Sequence, residues 1–197
     1  MTDPVMSGDG FILASASPRR LHLLAQIGLT PDAVHPTDIN EDPIPGELPG
    51  PHALRLAQEK AQAALGQLPG SVILAADTVV GVGRRILPKT MERDEAKMCL
   101  SLMSGRSHRV FTGVCVIDAD GIARSKVSET RLKMKRLSDQ EMTRYLDSGE
   151  WRGKAGGYGI QGRAGTLIHH ISGSYTGVVG LPVYETGLLL AAAGIIS

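Results

Sequence analysis

Cysteine is almost absent from this chain. Cys99 and Cys115 are the only two in 197 residues, too few and too far apart for a disulfide framework, a zinc ribbon or a redox pair. They read as small buried apolar side chains in a reducing compartment. A charge excess is missing too: 21 Lys and Arg against 20 Asp and Glu leave a net +1, without the basic surplus of a general nucleic-acid binder. No apolar run reaches membrane-spanning length, and the C-terminal stretch 187–196 falls short of the roughly 20 residues a span needs. The N-terminal residues are polar and show no charged-then-apolar leader pattern. These absences lead to the expectation of a cytoplasmic protein with neither a membrane nor a nucleic acid as partner. No repeat, low-complexity tract or linker is present, so residues 11–197 are expected to form one domain behind a flexible tail, 1–10.

The order of elements follows from apolar spacing and punctuation. Phe11 to Ser15 reads as a buried strand, followed by a helix with Ser17 as N-cap, Pro18 at its first position, Leu21 and Leu24 inward and Gly28 as its stop. Five prolines between Pro36 and Pro51 mark an ordered loop, and Ala53 to Leu65 reads as a helix with Leu54, Ala57, Ala61 and Ala64 on one face and Lys60 on another. Ser71 to Ala76 is a second buried strand ending in Asp77-Thr78, with a hairpin from Val79 returning toward Lys89. A helix over 94–103, antiparallel strands over 110–117 and 127–134, a capping box at Ser138 and Glu141 opening a helix to Asp147, a strand over 166–171 and a final helix over 183–193 complete the reading. Helices mixed with strands of both pairings predict an α/β or α+β domain with a mixed sheet, and the α/β class is the one expected.

Glycine, by contrast, is plentiful, and it concentrates where chemistry is expected. Lys154-Ala-Gly-Gly-Tyr-Gly-Ile-Gln-Gly162 joins one cation, four glycines and one amide in nine residues. Glycines let backbone N–H groups approach a ligand, the Lys154 ammonium is a point charge for phosphate, and Gln161 offers a donor beside an acceptor. A plain glycine-rich turn between strands is the competing reading. Gly157 to Gly162 also satisfies G-x-G-x-x-G, but the residues before it are loop-like and a strand follows, so the dinucleotide fingerprint is rejected. Gly83 to Thr90 has P-loop spacing except that Pro88, which has no N–H, stands before Lys89. Lys89 is kept as a phosphate candidate because it borders a turn.

Other candidates come from charges in unfavourable places. Arg19 and Arg20 lie in a first helical turn, where the dipole prefers anions, which points to an anion site; solvated surface arginines are the alternative. With Lys60, Lys89 and Lys154 they could neutralise a polyphosphate. Asp77 at the end of an apolar strand is where open α/β sheets place chemistry, though it could merely cap a turn. Glu41 and Asp77 are hard oxygen ligands suited to a divalent cation, magnesium or manganese. His169 and His170 alternate across a strand and cannot easily share a metal, His108 reads as a turn residue, and Ser15 and Ser17 have no histidine nearby in sequence for nucleophilic catalysis.

Taken together, Leu13-Ala-Ser-Ala-Ser-Pro-Arg-Arg20, Ala76-Asp-Thr78, Ser104-Gly-Arg-Ser-His-Arg-Val110 with Thr112, Lys154 to Gly162 and Gly173 to Pro182 closely resemble the Maf family of nucleoside triphosphate pyrophosphatases. They run in the family's order over nearly the whole chain beyond the first ten residues. The resemblance implies an elongated fold with two lobes around a deep cleft, cleavage of a nucleoside triphosphate to monophosphate and pyrophosphate with a divalent metal, and a homodimer. It makes Asp77 the proton acceptor, Glu41 an acidic site residue, and Ser15, Arg19, Arg20, Lys60 and Lys89 substrate contacts. Arg19, Thr78 and Gln161 match positions linked to base choice, and Arg19 together with the Tyr158-Gly-Ile-Gln161 segment is similar to the dTTP/UTP subgroup. The 7-methyl-GTP subgroup, or a nucleotide-binding septum-formation regulator that does not depend on hydrolysis, is the alternative. The family usually has proline directly after the lysine matching Lys89, where this chain has Thr90.

Overall fold

The computed structural model describes residues 10–196, so the tail expected over 1–10 lies, but for Gly10, outside the described residues. The elements in order are β1 (Phe11–Leu13), α1 (Pro18–Gln26), β2 (Ala33–Val34), α2 (Pro49–Gln67), β3 (Val72–Val82), β4 (Arg85–Leu87), β5 (Lys89–Thr90) and α3 (Arg93–Met103). There follow β6 (Ser107–Ile117), β7 (Ala123–Met134), α4 (Asp139–Asp147), β8 (Lys154–Ala155), a 3-10 turn at Arg163–Leu167, β9 (Ile168–Ser172), α5 (Tyr175–Val179) and α6 (Val183–Ala192).

Seven strands form one mixed sheet in the order β2-β1-β3-β6-β7-β9, with β4 also on β3. β1 runs parallel to both β2 and β3, and the remaining pairings are antiparallel. Alternation along β3 sends Ile73 and Ala75 to one face, where they pack with Cys115 and Ile117 against Ala57, Ala61 and Ala64 of α2. Leu74, Ala76 and Val80 point to the other face and meet side chains of α1, α3 and α6, among them Leu24, Leu100 and Leu190. Small residues let α2 lie close to the sheet, and a Cβ on Gly113 of β6 would collide with the backbone of Ala53 and Leu54.

Several boundaries depart from expectation. β3 does not stop at Asp77 but runs on to Val82, because β6 pairs with it from Ile73 to Gly81 and carries it through. On its other edge, β1 pairs only as far as Leu74 and β4 begins only at Val80. Residues 75–79 therefore have no strand beside them on that edge, and Asp77 lies in this gap. α2 starts at Pro49 rather than Ala53; Pro49 and Pro51 sit in its first turn, where no amide hydrogen is needed. In α1 the inward residues are Leu23 and Leu24, while Leu21 is 39% exposed. In α2, Leu56 is buried and Leu54 only half-buried. The strand expected over 166–171 begins at Ile168, after the 3-10 turn, and α5 was not anticipated.

Candidate active site

The gap beside β3 opens into a cleft of about 390 Å³. The turn after β1, the start of α1, the loop of Glu41, β8, the glycine-rich segment and the end of α5 line it. Nine of the ten site residues expected from sequence border it: Ser15, Arg19, Arg20, Glu41, Lys60, Asp77, Thr78, Lys89 and Lys154. Gln161, the tenth, is exposed at the rim, its amide nitrogen 3.2 Å from where a Cβ on the cleft residue Gly159 would stand.

The start of α1 carries no acidic residue to match its dipole. Ser17 holds the N-cap position, but its side chain makes no capping bond; instead Ser15 Oγ accepts the Ser17 amide at 3.2 Å and an Arg20 Nη1 hydrogen bond at 2.8 Å. Arg20 Nε donates to the Gly180 carbonyl at 2.8 Å, and Arg19 Nε to that of Val179 at 3.3 Å. Both guanidiniums are thereby tied to the end of α5. Burial pulls the pKa of each down; for Arg20 the charge of Asp77 pulls it back up, Arg19 lowers it further and Glu41 raises it.

Asp77 is 3% exposed. Its Oδ1 accepts from Lys60 Nζ at 2.6 Å, and the same ammonium lies 2.5 Å from Glu41 Oε1. Lys89 contacts the other oxygen of Glu41. Burial alone would raise the Glu41 carboxyl, but hydrogen bonds from Lys60 and Lys89, together with their charges, hold it at about 2. Lys60, expected on a face away from the helix's apolar stripe, is buried and turned to these carboxylates. The loop that carries Glu41 is clamped from α2: Arg55 holds both oxygens of Glu47 at 2.8 and 2.9 Å and donates to the Asp42 carbonyl at 3.0 Å.

Lys154 contacts the Glu150 carbonyl, and its pKa is lowered by burial and the charge of Arg19 against the raising effect of Glu150. Thr78 points to the sheet face opposite Asp77, its hydroxyl 3.1 Å from that of Thr112, which donates to the Gly177 carbonyl at 2.8 Å. The departure at Thr90 has a visible use, because its buried hydroxyl donates to the Trp151 carbonyl at 2.9 Å and helps hold β5 beside β8.

Sequence reasoning missed Tyr158, Thr37 and the Val178–Gly180 segment, all of which line the cleft. The tyrosine stood inside the glycine-rich segment, and Gly180, with φ 138, stood before Leu181-Pro182; those were the available signals. His108 is a buried structural residue rather than a turn residue: it is 2% exposed, its Nε2 lies 2.6 Å from Tyr158 Oη, and burial lowers its pKa to about 4. His169 and His170 are exposed on β9. Among the described residues, no group of three or more His, Cys, Asp or Glu side chains could hold a metal ion. Glu41 and Asp77 together suit a hard cation that takes only one or two carboxylates and completes its shell from substrate phosphates.

An α/β protein whose cleft sets five cationic side chains around two carboxylates belongs to the class that handles phosphorylated small molecules. The family model described as "Maf-like protein" matches residues 10–193, and the chain belongs to the Maf family. It is 61% identical over 194 residues to the dTTP/UTP pyrophosphatase of Maricaulis maris, covering 98% of this chain and 93% of that one. It is 56% identical to the dTTP/UTP pyrophosphatase of Caulobacter vibrioides, covering 95% and 97%, and 55% identical to that of Novosphingobium aromaticivorans, covering 98% and 96%. A crystal structure of a nucleoside-triphosphatase / dITP/XTP pyrophosphatase from Mycobacterium abscessus superposes with a TM-score of 0.39 and 15% identity over 64% of this chain and 74% of that one, too distant a likeness to inform the site. No helix among the described residues is long and apolar enough to cross a membrane.

Proposed function

We propose that this protein hydrolyses nucleoside triphosphates to the monophosphate and pyrophosphate, with dTTP and UTP preferred. The observation that carries the reading is Asp77, buried in the strand gap, bonded to Lys60, and facing a cleft rimmed by Arg19, Arg20, Lys89 and Lys154. The printed names of the relatives support the same substrate class.

In this reading the arginines and lysines bind the triphosphate and stabilise the charge that gathers on the leaving group. Asp77 orients a water molecule and accepts its proton as the water oxygen bonds to one of the two phosphorus atoms flanking the α–β bridge. The bond to the bridging oxygen breaks, and monophosphate and pyrophosphate leave. A divalent cation, held by Glu41 and Asp77 with the phosphates, would neutralise charge on the phosphoryl oxygens. Thr78, Arg19 and Gln161 face the remaining part of the substrate and set base preference. Residues 11–197 act as one catalytic domain, in the cytoplasm and as a homodimer, which fractionation and sedimentation would test.

The direct assay is pyrophosphate release from dTTP, UTP, CTP, GTP and 7-methyl-GTP with magnesium or manganese, beside Asp77→Asn. Release from dTTP and UTP that falls by at least about 10²-fold in the variant is expected. Nucleotide binding without release by the wild-type protein would sink the hydrolytic reading.

A further inference from the structure

Lys60 occupies the space between the two carboxylates that a divalent cation would share. Its ammonium reaches Glu41 Oε1 at 2.5 Å and Asp77 Oδ1 at 2.6 Å, and its side chain is 9% exposed. Lys89 engages the second oxygen of Glu41. Both Glu41 oxygens and one oxygen of Asp77 therefore already face an ammonium group. Each carboxylate is matched by one lysine, so the pair offers no uncompensated negative charge. Arg19, Arg20 and Lys154 then add three cations to the cleft lining, which contains no further carboxylate.

That balance is wrong for a free dication. Magnesium sheds water reluctantly and is usually held by one or two carboxylates together with substrate phosphates. To enter alone, a dication would have to displace a buried ammonium and overcome the field of the remaining cations. A triphosphate reverses both obstacles, because it brings anionic oxygens for the metal and gives the ammonium new acceptors.

We propose that Lys60 is an internal stand-in for the metal: the nucleotide-free protein keeps its carboxylates closed with Lys60, and they become available to a divalent cation only as triphosphate draws the ammonium away. The cation thus enters with the nucleotide instead of waiting for it. This rests on the triphosphate reading above and adds to it an order of binding and a second task for Lys60.

Manganese binding, read from the loss of the free-ion paramagnetic resonance signal, tests this without turnover. The proteins are nucleotide-free wild type, Lys60→Met and Lys60→Gln, each checked for folding by thermal melting. Wild type is also titrated with a non-hydrolysable α,β-linked UTP analogue present. Both variants should bind manganese alone at least about tenfold more tightly than wild type. Adding Asp77→Asn to Lys60→Met should abolish that gain, and wild type with the analogue should remove more free manganese than the same concentration of analogue removes without protein. Wild type that binds manganese alone as tightly as the variants would overturn the proposal, as would variants that gain no affinity. Failure of wild type to bind the analogue would instead count against the substrate reading, while the nucleotide-free comparison would still decide the role of Lys60.

Discussion

Arg19 and Gln161 approach the cleft from different segments, one from the first turn of α1 and the other from the end of the glycine-rich stretch. Neither belongs to the Glu41–Lys60–Asp77 group, so Arg19→Ala and Gln161→Ala should change nucleotide preference more than fold. A comparison of kcat/KM for dTTP, UTP, CTP and GTP should show the pyrimidine preference falling by roughly tenfold, the size of one lost polar contact of about 1.4 kcal/mol. An unchanged profile would remove both residues from base selection. His108 gives a second prediction at this scale. Its folded pKa of about 4 lies below the 6.5 of the free side chain, so the unfolded chain takes up the proton first as pH falls. Its contribution is complete above pH 6.5 and is lost progressively toward pH 4, amounting to roughly 3 kcal/mol. Urea unfolding across that range should show the decline, and His108→Gln should flatten it. Glu41 and Glu47, both held at about 2, have the same sign but lose their contribution lower, between about pH 4.5 and 2. Most residues that line the candidate cleft were legible because arginines in a first helical turn and a carboxylate on an apolar strand both need an explanation. The pairing of Lys60 with two carboxylates was not legible, because helical spacing gives the direction of a side chain but not what the loop before the helix brings to meet it.

The strands and helices were readable to the extent that their periodicity was clean. β7 alternates from Val127 on and α4 carries a complete capping box, and both lie where the pattern put them. β7 nevertheless begins earlier, at Ala123, and β6, buried on both faces from Thr112, begins at Ser107. α5 was invisible because five residues with three β-branched side chains and one glycine carry no helical signature; it exists because Ser174 caps it, accepting from the Gly177 amide at 2.9 Å. The strand gap was equally hidden, since it depends on where β1 and β4 stop along β3, a property of pairing and not of any one segment. Contact between α2 and β6 gives the test at this scale. Gly113→Ala would push a methyl group into the backbone of Ala53, which cannot retreat without moving the helix that carries Lys60. The expected cost is about 1–3 kcal/mol in chemical denaturation, together with a fall in kcat. A variant as stable and as active as wild type would show that α2 can shift freely.

At the scale of the whole molecule, one sheet runs through the described residues and has apolar cores on both faces. The reading of residues 11–197 as a single domain predicts one cooperative unfolding transition and a protease-resistant body of that extent. Two separated transitions, or stable cleavage between the sheet and the β5–β8 ribbon, would show that the halves of the cleft fold independently. Their joint folding matters for the chemistry, because Lys89 and Lys154 sit on the ribbon while Asp77 sits on the sheet.

Asp77 and Thr78 are consecutive on one strand and look to opposite faces, with Asp77 opposite Gly113 and Thr78 opposite Thr112 on β6. Because the strand repeat is two residues, slipping β3 by one place would exchange the two faces at a stroke. The carboxylate would leave Lys60 and the hydroxyl would leave Thr112, while Ile73 and Leu74 would trade cores. Insertions or deletions between Val72 and Asp77 should therefore be far scarcer among functional variants than substitutions at the same positions, since no local repair restores one face without spoiling the other.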